Sequence, residues 1–217
     1  MNFQFQSSLG FQIKTFSVGQ LQCNCSLVWD PESMEAIVVD PGDEALRIQK
    51  EIVDLGLKVR HIVHTHAHFD HVSAAREVHQ FTKAPLLLHP DDKYLWENVA
   101  MQGQFFRIHV DPLPPWSENL EHEKALQIGK YRMKTLFTPG HTPGSCCFSM
   151  NEILFSGDTL FQGSVGRTDL WGGDFRQISS SIKDRLYTLD TDTTVICGHG
   201  ANTQIGIEAK QNAFVKK

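Results

Sequence analysis

His64-Thr-His-Ala-His-Phe-Asp-His71 places four histidines and an aspartate within eight residues. The apolar run Val59 to Val63 before it reads as a buried strand. Val72 to Thr82 after it reads as a helix, with Ala74, Val78 and Phe81 at helical spacing. The His-rich stretch is therefore a loop leaving a strand and entering a helix. Loops held in that way by a sheet are where α/β proteins usually place their chemistry.

Working outward, Phe11–Val18, Cys25–Trp29 and Glu35–Val39 have strand-like patterns, as does the N-terminal Met1–Ser8. Asp40-Pro-Gly-Asp43 follows, with Asp43 placed to cap a helix whose apolar face is Ala45, Ile48, Ile52 and Leu55. Ala84–His89 reads as a strand and Asp91 to about Phe106 as helix. Asp111-Pro-Leu-Pro-Pro-Trp116 excludes regular structure, because its prolines fix the backbone and remove N–H groups. It reads as the link between two halves, with Trp116 either lining a groove or capping the core.

The second half restarts with strand Tyr131–Thr138 and the tight loop Pro139-Gly-His-Thr-Pro-Gly144. Ser145–Ser149 and Ile153–Ser156 pair as a hairpin, and Asp174–Leu189 is an amphipathic helix capped by Asp174. Strand Thr193–Cys197 leads into Gly198-His-Gly200, and a helix follows Gln204. Strands arrive in groups in both halves, each group followed by helices. That grouping favours two packed sheets with helices outside over a single doubly wound sheet.

The 217 residues suffice for one domain spanning 1–217, with 41% hydrophobic and 21% charged residues and a net charge of −5. This balance gives no bulk attraction to nucleic acid or to an anionic membrane. No apolar run is long enough to span a bilayer, and no signal peptide is evident. Five cysteines, an odd number, argue against a disulfide framework and for a reducing, cytoplasmic compartment.

Ligand-type side chains follow apolar strands at four places: the His loop, His141, Asp158 and His199. Glycine or proline flanks the last three, which lets the backbone turn sharply. Within the loop, one ion can take His66 and His68 and a neighbouring ion Asp70 and His71. Imidazole and carboxylate suit zinc, iron or manganese. His64 points into the core or orients a ligand from behind. His61, His79 and His122 read as ordinary surface or core residues. Cys23 and Cys25 could pair on a metal, but small thiols on a strand are the simpler reading, as for Cys146 and Cys147.

This pattern resembles the metallo-β-lactamase superfamily. The motif His-x-His-x-Asp-His is His66, His68, Asp70 and His71, followed by His141, Asp158 and His199. Val38-Val-Asp-Pro-Gly-Asp43 also matches, with Asp40 resembling a buried structural aspartate beside the site. The resemblance implies an αββα sandwich of two mixed sheets flanked by helices. Thr138–Ser145, Phe155–Phe161, Gly163–Asp169 and Gly198–Gly200 are similar to the small glyoxalase II-type hydrolases.

That family implies one divalent ion on His66, His68 and His141, another on Asp70, His71 and His199, and Asp158 bridging both. It further implies hydrolysis of a small-molecule thioester, such as S-lactoylglutathione, by a hydroxide between the ions, with Asp70 and Asp158 at the chemistry. Zinc is the expected ion, iron and manganese being alternatives. Asp158 stands where the commonest β-lactamases carry cysteine, which argues against antibiotic cleavage. Full-length glyoxalase II proteins add a helical C-terminal domain that grips glutathione; here only Ala201–Lys217 follow. Arg167 matches a basic substrate contact, and the tyrosine two residues later in that family is Asp169 here. Persulfide dioxygenases also resemble the chain, using one iron on the positions of His66, His141 and Asp158. A nuclease would need a basic face, and a non-catalytic binding domain would be expected to lose ligands; neither fits.

Overall fold

A computed structural model describes residues 10–217 and the backbone of residues 3–6. The expected N-terminal strand is present as β1 (Phe3–Gln6); residues 1, 2 and 7–9 lie outside the described residues. The chain continues through β2 (Gln12–Val18), β3 (Cys23–Trp29), β4 (Glu35–Val39), α1 (Ala45–Asp54) and β5 (Lys58–Val63). Next come α2 (Phe69–Val72), α3 (Ala75–Thr82), β6 (Leu86–Leu88), a 3-10 turn at Pro90–Asp92, α4 (Lys93–Glu97), α5 (Val99–Phe105) and β7 (Glu118–Asn119). β1 to β7 form one sheet in sequential order, antiparallel from β1 to β4 and parallel from β4 to β7.

The second half holds β8 (Ala125–Ile128), β9 (Tyr131–Phe137), β10 (Cys146–Met150), β11 (Ile153–Gly157) and the small hairpin β12 (Leu160–Phe161) and β13 (Ser164–Val165). α6 (Phe175–Ser181), β14 (Thr194–Cys197), β15 (Thr203–Gln204) and α7 (Ile205–Gln211) complete it. The second sheet runs β15-β14-β11-β10-β9-β8, with β11 and β14 parallel and the other neighbours antiparallel.

Strand alternation explains the layering. In β4, Ile37 and Val39 face the second sheet, while Ala36 and Val38 face the helices. The space between the sheets is filled by residues of both, among them Phe11, Val28, Val63, Leu87, Met133, Phe148 and Phe155. Ile48 and Ile52 of α1 and Val78 of α3 cover the first sheet. Ile178, Ile182 and Leu186 cover the second, with Ile205 of α7. The result is the expected αββα sandwich. Cys146 lies between the sheets and Cys147 in the outer layer, as successive strand residues must.

Several local expectations are corrected. The helix expected over Val72–Thr82 is two helices, because the Ala74 N–H leaves the helical ladder for the Pro41 carbonyl at 3.0 Å. α2 therefore begins inside the ligand loop, and Phe81 is 47% exposed, outside the core. Asp43 does not cap α1; Glu44 holds that position in a left-handed conformation and its N–H meets Asp43 Oδ1. Asp174 does cap α6, accepting from Arg176 N and Gln177 N. That helix gives way to a π turn over Ile182–Leu186, and Phe175 is exposed. The proline stretch does not divide the sheets, since the chain afterwards adds β7 to the first one. Trp116 packs edge-on against Trp96, whose Nε1–H donates to the Pro114 carbonyl, so this stretch caps the outer core.

This topology brings strand ends together. β4, β5 and β6 run parallel, and so do β11 and β14, so their carboxyl ends open on one edge. The next residues are Asp40, the His loop, the Asp92 turn, Asp158 and His199. Phe148 holds the layers together between β9 and β11. Phe148→Ala is expected to lower stability by roughly 3–5 kcal/mol in urea unfolding; a loss under 1 kcal/mol would contradict the packing described.

Candidate metal centre

The seven residues singled out in the sequence converge at that edge. Three groups of side chains could each hold a metal ion: His66, His68 and His141; His66, His71 and Asp158; and Asp70, His71 and His199. His68 Nδ1 lies 2.9 Å from His141 Nε2, and His71 Nε2 lies 3.1 Å from His199 Nε2. Asp158 sits between the two sets: its carboxylate is 3.4 Å from His71 Nε2, 3.6 Å from His141 Nε2 and 3.7 Å from His199 Nε2. Asp70 Oδ2 is 3.2 Å from His199 Nε2. Nitrogens bound about 2.1 Å from one tetrahedral ion lie about 3.4 Å apart, so these spacings fit shared ions.

The outer hydrogen bonds determine which atoms face inward. Asp40 accepts from Thr65 N at 2.7 Å, from Thr65 Oγ1 at 2.6 Å and from His71 Nδ1 at 2.9 Å. Because Thr65 spends its hydroxyl proton on Asp40, His66 Nδ1 must donate to Thr65 Oγ1, 3.0 Å away. One carboxylate thus fixes the tautomers of His66 and His71 together. His141 Nδ1 donates to the Arg167 carbonyl at 2.7 Å, and His199 Nδ1 to the Leu21 carbonyl at 2.9 Å. The Nε2 atoms of all four rings are left turned inward, away from these acceptors. His66 Nε2 and Asp158 Oδ1 are buried with no hydrogen-bond partner at all. Such atoms are costly in a protein interior unless a cation joins them.

Electrostatics agree. Burial among other imidazoles pushes His66 far down and His68 down to about 3. Burial works against charge on both His71 and His199; both are nonetheless raised, His71 by the adjacent Cys23 sulfur together with Asp158 and Asp70, and His199 by Asp70 and Asp158. Burial would likewise raise Asp158, yet His71, His141 and His199 hold it well below the carboxylate range. Asp70 is lowered too, burial being outweighed by His71 and His199. The second set attracts positive charge, and bare imidazoles complete the first.

His64 is not among these groups. It is fully buried edge-on against Trp96, 5.1 Å between ring centres, and neither ring nitrogen finds a hydrogen-bond partner. Burial pushes it down to about 4, so it is a neutral core residue at pH 7. Cys23 and Cys25 are buried thiols, Cys23 pushed up to about 12 by burial, and a protonated thiol is a poor metal ligand. Cys23 lies directly behind His71, with Sγ 3.5 Å from Nδ1. The Arg167 side chain is half exposed and forms a two-point pair with Asp169 at 2.7 and 2.9 Å. Trp171, 6.3 Å from the His68 ring centre, and Phe105 form an aromatic wall on that side.

Two residues beside the centre escaped the sequence reading. Asp92 and Gln102 are both wholly buried and hydrogen-bond the backbone of the His loop. Asp92 follows Pro90-Asp91, a pattern that signals only a helix start, and Gln102 sits in an ordinary helix. Neither carries a spacing signal.

Fold and site together define an αββα protein with a paired His/Asp centre between its strand ends. Residues 18–199 match the family model of the metallo-beta-lactamase superfamily, and the chain belongs to that superfamily. Among relatives, it is 37% identical over 207 residues to hydroxyacylglutathione hydrolase GloC of Haemophilus influenzae, covering 94% of this chain and 97% of that one. A crystal structure of the BLEG-1 B3 metallo-beta-lactamase superposes with a TM-score of 0.88 at 34% identity, covering 94% of this chain and all of that one. A di-iron-bound form of TTHA1623 superposes with a TM-score of 0.85 at 36% identity, over 93% and 99% of the two chains.

Gly198 shows how tightly the centre is built: a Cβ there would lie 2.2 Å from Asp158 Oδ1 and 2.9 Å from His71 Cε1. Gly198→Ala is therefore expected to lower bound metal, measured by elemental analysis, while circular dichroism stays that of the folded protein. Full metal content in that variant would contradict the geometry.

Proposed function

We propose that this protein is a binuclear metal-dependent hydrolase that cleaves a small thioester of the S-lactoylglutathione kind. The observation that carries the reading is the pair of three-residue ligand sets sharing Asp158. In this reading His66, His68 and His141 hold one divalent ion, Asp70, His71 and His199 hold the other, and Asp158 bridges them. The ligand chemistry suits zinc, with iron and manganese as alternatives; TTHA1623 is known in a di-iron form. When bound, such ions lower the pKa of water to about 7 and polarise a carbonyl oxygen.

The chain's own groups do the rest. Asp70 and Asp158 are ionised and 15% and 14% exposed, and with His199, 26% exposed, they form the open side of a site whose other imidazoles are buried. Asp70 is placed to accept a hydrogen bond from an attacking water and orient it. His66, His68, His71 and His141 are fixed by burial and by the Asp40 and Arg167 hydrogen bonds, so little reorganisation accompanies the reaction. A thiol has an ordinary pKa near 8.5, so its thiolate leaves without a strong acid. Likeness to GloC over nearly its whole length supports a glutathione thioester. The Arg167–Asp169 pair would open if Arg167 turned to a substrate carboxylate. Among the described residues no helix is long and apolar enough to cross a membrane.

The deciding experiment is a thioester panel, with and without a glutathione moiety, on protein whose metals have been counted. Two ions per chain with thioester turnover is the expected result. One iron per chain with rapid oxygen uptake on glutathione persulfide, or β-lactam cleavage without thioester turnover, would overturn the reading. Asp158→Ala is expected to lose both ions and lactoylglutathione hydrolysis; full activity there would remove the bridging role. Arg167→Ala is expected to raise KM more than it lowers kcat. An unchanged KM would leave Arg167 as part of the site wall, paired with Asp169.

A further inference from the structure

Asp92 joins the two loops that carry the three-imidazole set. Its Oδ2 accepts from Ala67 N at 2.9 Å and from Thr142 Oγ1 at 2.9 Å, and its Oδ1 accepts from Gly144 N at 2.6 Å. Ala67 lies between His66 and His68, and Thr142 follows His141. Gln102 holds the same loop from the other side. Its Nε2 donates to the Ala67 carbonyl at 3.0 Å and to the Leu95 carbonyl at 2.8 Å, while its Oε1 accepts from Phe69 N at 3.1 Å. Both polar groups of Ala67 are therefore committed to buried side chains, which leaves the loop no freedom to slide. Gly144 packs against the carboxylate so closely that a Cβ would lie 2.7 Å from Asp92 Cγ.

We propose that Asp92 is the positioning residue of the first metal site: it sets the separation between the His66–His68 pair and His141, and through it the affinity of that site for a divalent cation. The inference rests on the metal reading given above. Asp92 touches no ligand atom, so its action runs through the backbone.

Three donors converge on Asp92, and only an ionised carboxylate accepts them all. An asparagine has one acceptor oxygen, and its amide N–H groups would face the Gly144 N–H or the Ala67 N–H and Thr142 O–H. The Gly144 side has no room for relief, so the two loops must part. The Asp70, His71 and His199 set has separate anchors, in Asp40 and the Leu21 carbonyl. A change at Asp92 should therefore fall on one ion and spare the other, which a general loss of stability would not do.

The test is a chelator titration of metal-loaded wild-type, Asp92→Asn and Asp30→Asn proteins, with released ions counted. Asp30 is likewise buried and hydrogen-bonded, to Glu32 N and Ser33 Oγ in the turn after β3, and it serves as a stability control. Hydrogen-bond partners behind a metal site typically change its affinity 10–100-fold. In Asp92→Asn, one ion should leave at a chelator concentration about 10–100-fold lower than in wild type. X-ray absorption should show that the ion retained has carboxylate and fewer imidazole ligands. Asp30→Asn should release both ions as wild type does, even with a lowered Tm. Wild-type release from Asp92→Asn, or equal weakening of both ions, would overturn the proposal. If Asp92→Asn does not fold, Thr142→Val removes one of the three donors and should weaken the same ion by a smaller factor. No shift there would also overturn it. A wild-type protein that takes up no ion would instead overturn the metal reading, and this role with it.

Discussion

The centre depends on Asp40. This buried carboxylate accepts two hydrogen bonds from Thr65 and one from His71, and through the Thr65 hydroxyl it also fixes His66. It holds a left-handed backbone conformation, φ 49°, which aspartate tolerates better than most residues. The consequence is that one histidine from each ligand set turns a bare nitrogen inward. Imidazoles with lone pairs facing across 2.9 and 3.1 Å repel one another in a dry interior unless positive charge joins them. The scaffold holds His66, His71, His141 and His199 there because their Nδ1–H groups are committed to fixed acceptors.

The sandwich supplies that scaffold by direction. Parallel pairing of β4 with β5 and of β11 with β14 puts four strand ends on one edge, and the core between the sheets keeps the two edges together. Glycine lets the chain after β4 pass close to the His loop backbone: a Cβ on Gly42 would lie 1.8 Å from the Asp70 carbonyl oxygen. The first strand pair also reaches across, since Asn24 bonds to Gly198 and Cys197 at the foot of the His199 loop. The candidate metal centre sits at the seam between halves, with side chains drawn from both.

The layers and the clustering of the candidate ligands were legible in the sequence because their signals are periodic or compositional. The apolar runs Glu35–Val39 and Val59–Val63, and glycine beside His141, Asp158 and His199, follow from strands that end abruptly at a site. The missed features depend on distant partners. Pro41 breaks the Val72–Thr82 helix from 33 residues away in the chain by accepting the Ala74 N–H. Asp43 loses its cap role because Glu44, left-handed, takes that position and its N–H turns back to Asp43 Oδ1. Asp92 and Gln102 read as ordinary helix residues, since nothing local records that their side chains reach another loop. The alternative placements left open for His64 are decided by Trp96, a residue no pattern pairs with it.

The central claim is that two ions sit in two ligand sets sharing Asp158. Anomalous diffraction at the metal absorption edge, on crystals of the metal-loaded protein, tests it most directly. The account predicts two peaks on either side of the Asp158 carboxylate, one among His66, His68 and His141 and the other among Asp70, His71 and His199. A single peak, or a second one away from the Asp70, His71 and His199 set, would contradict it.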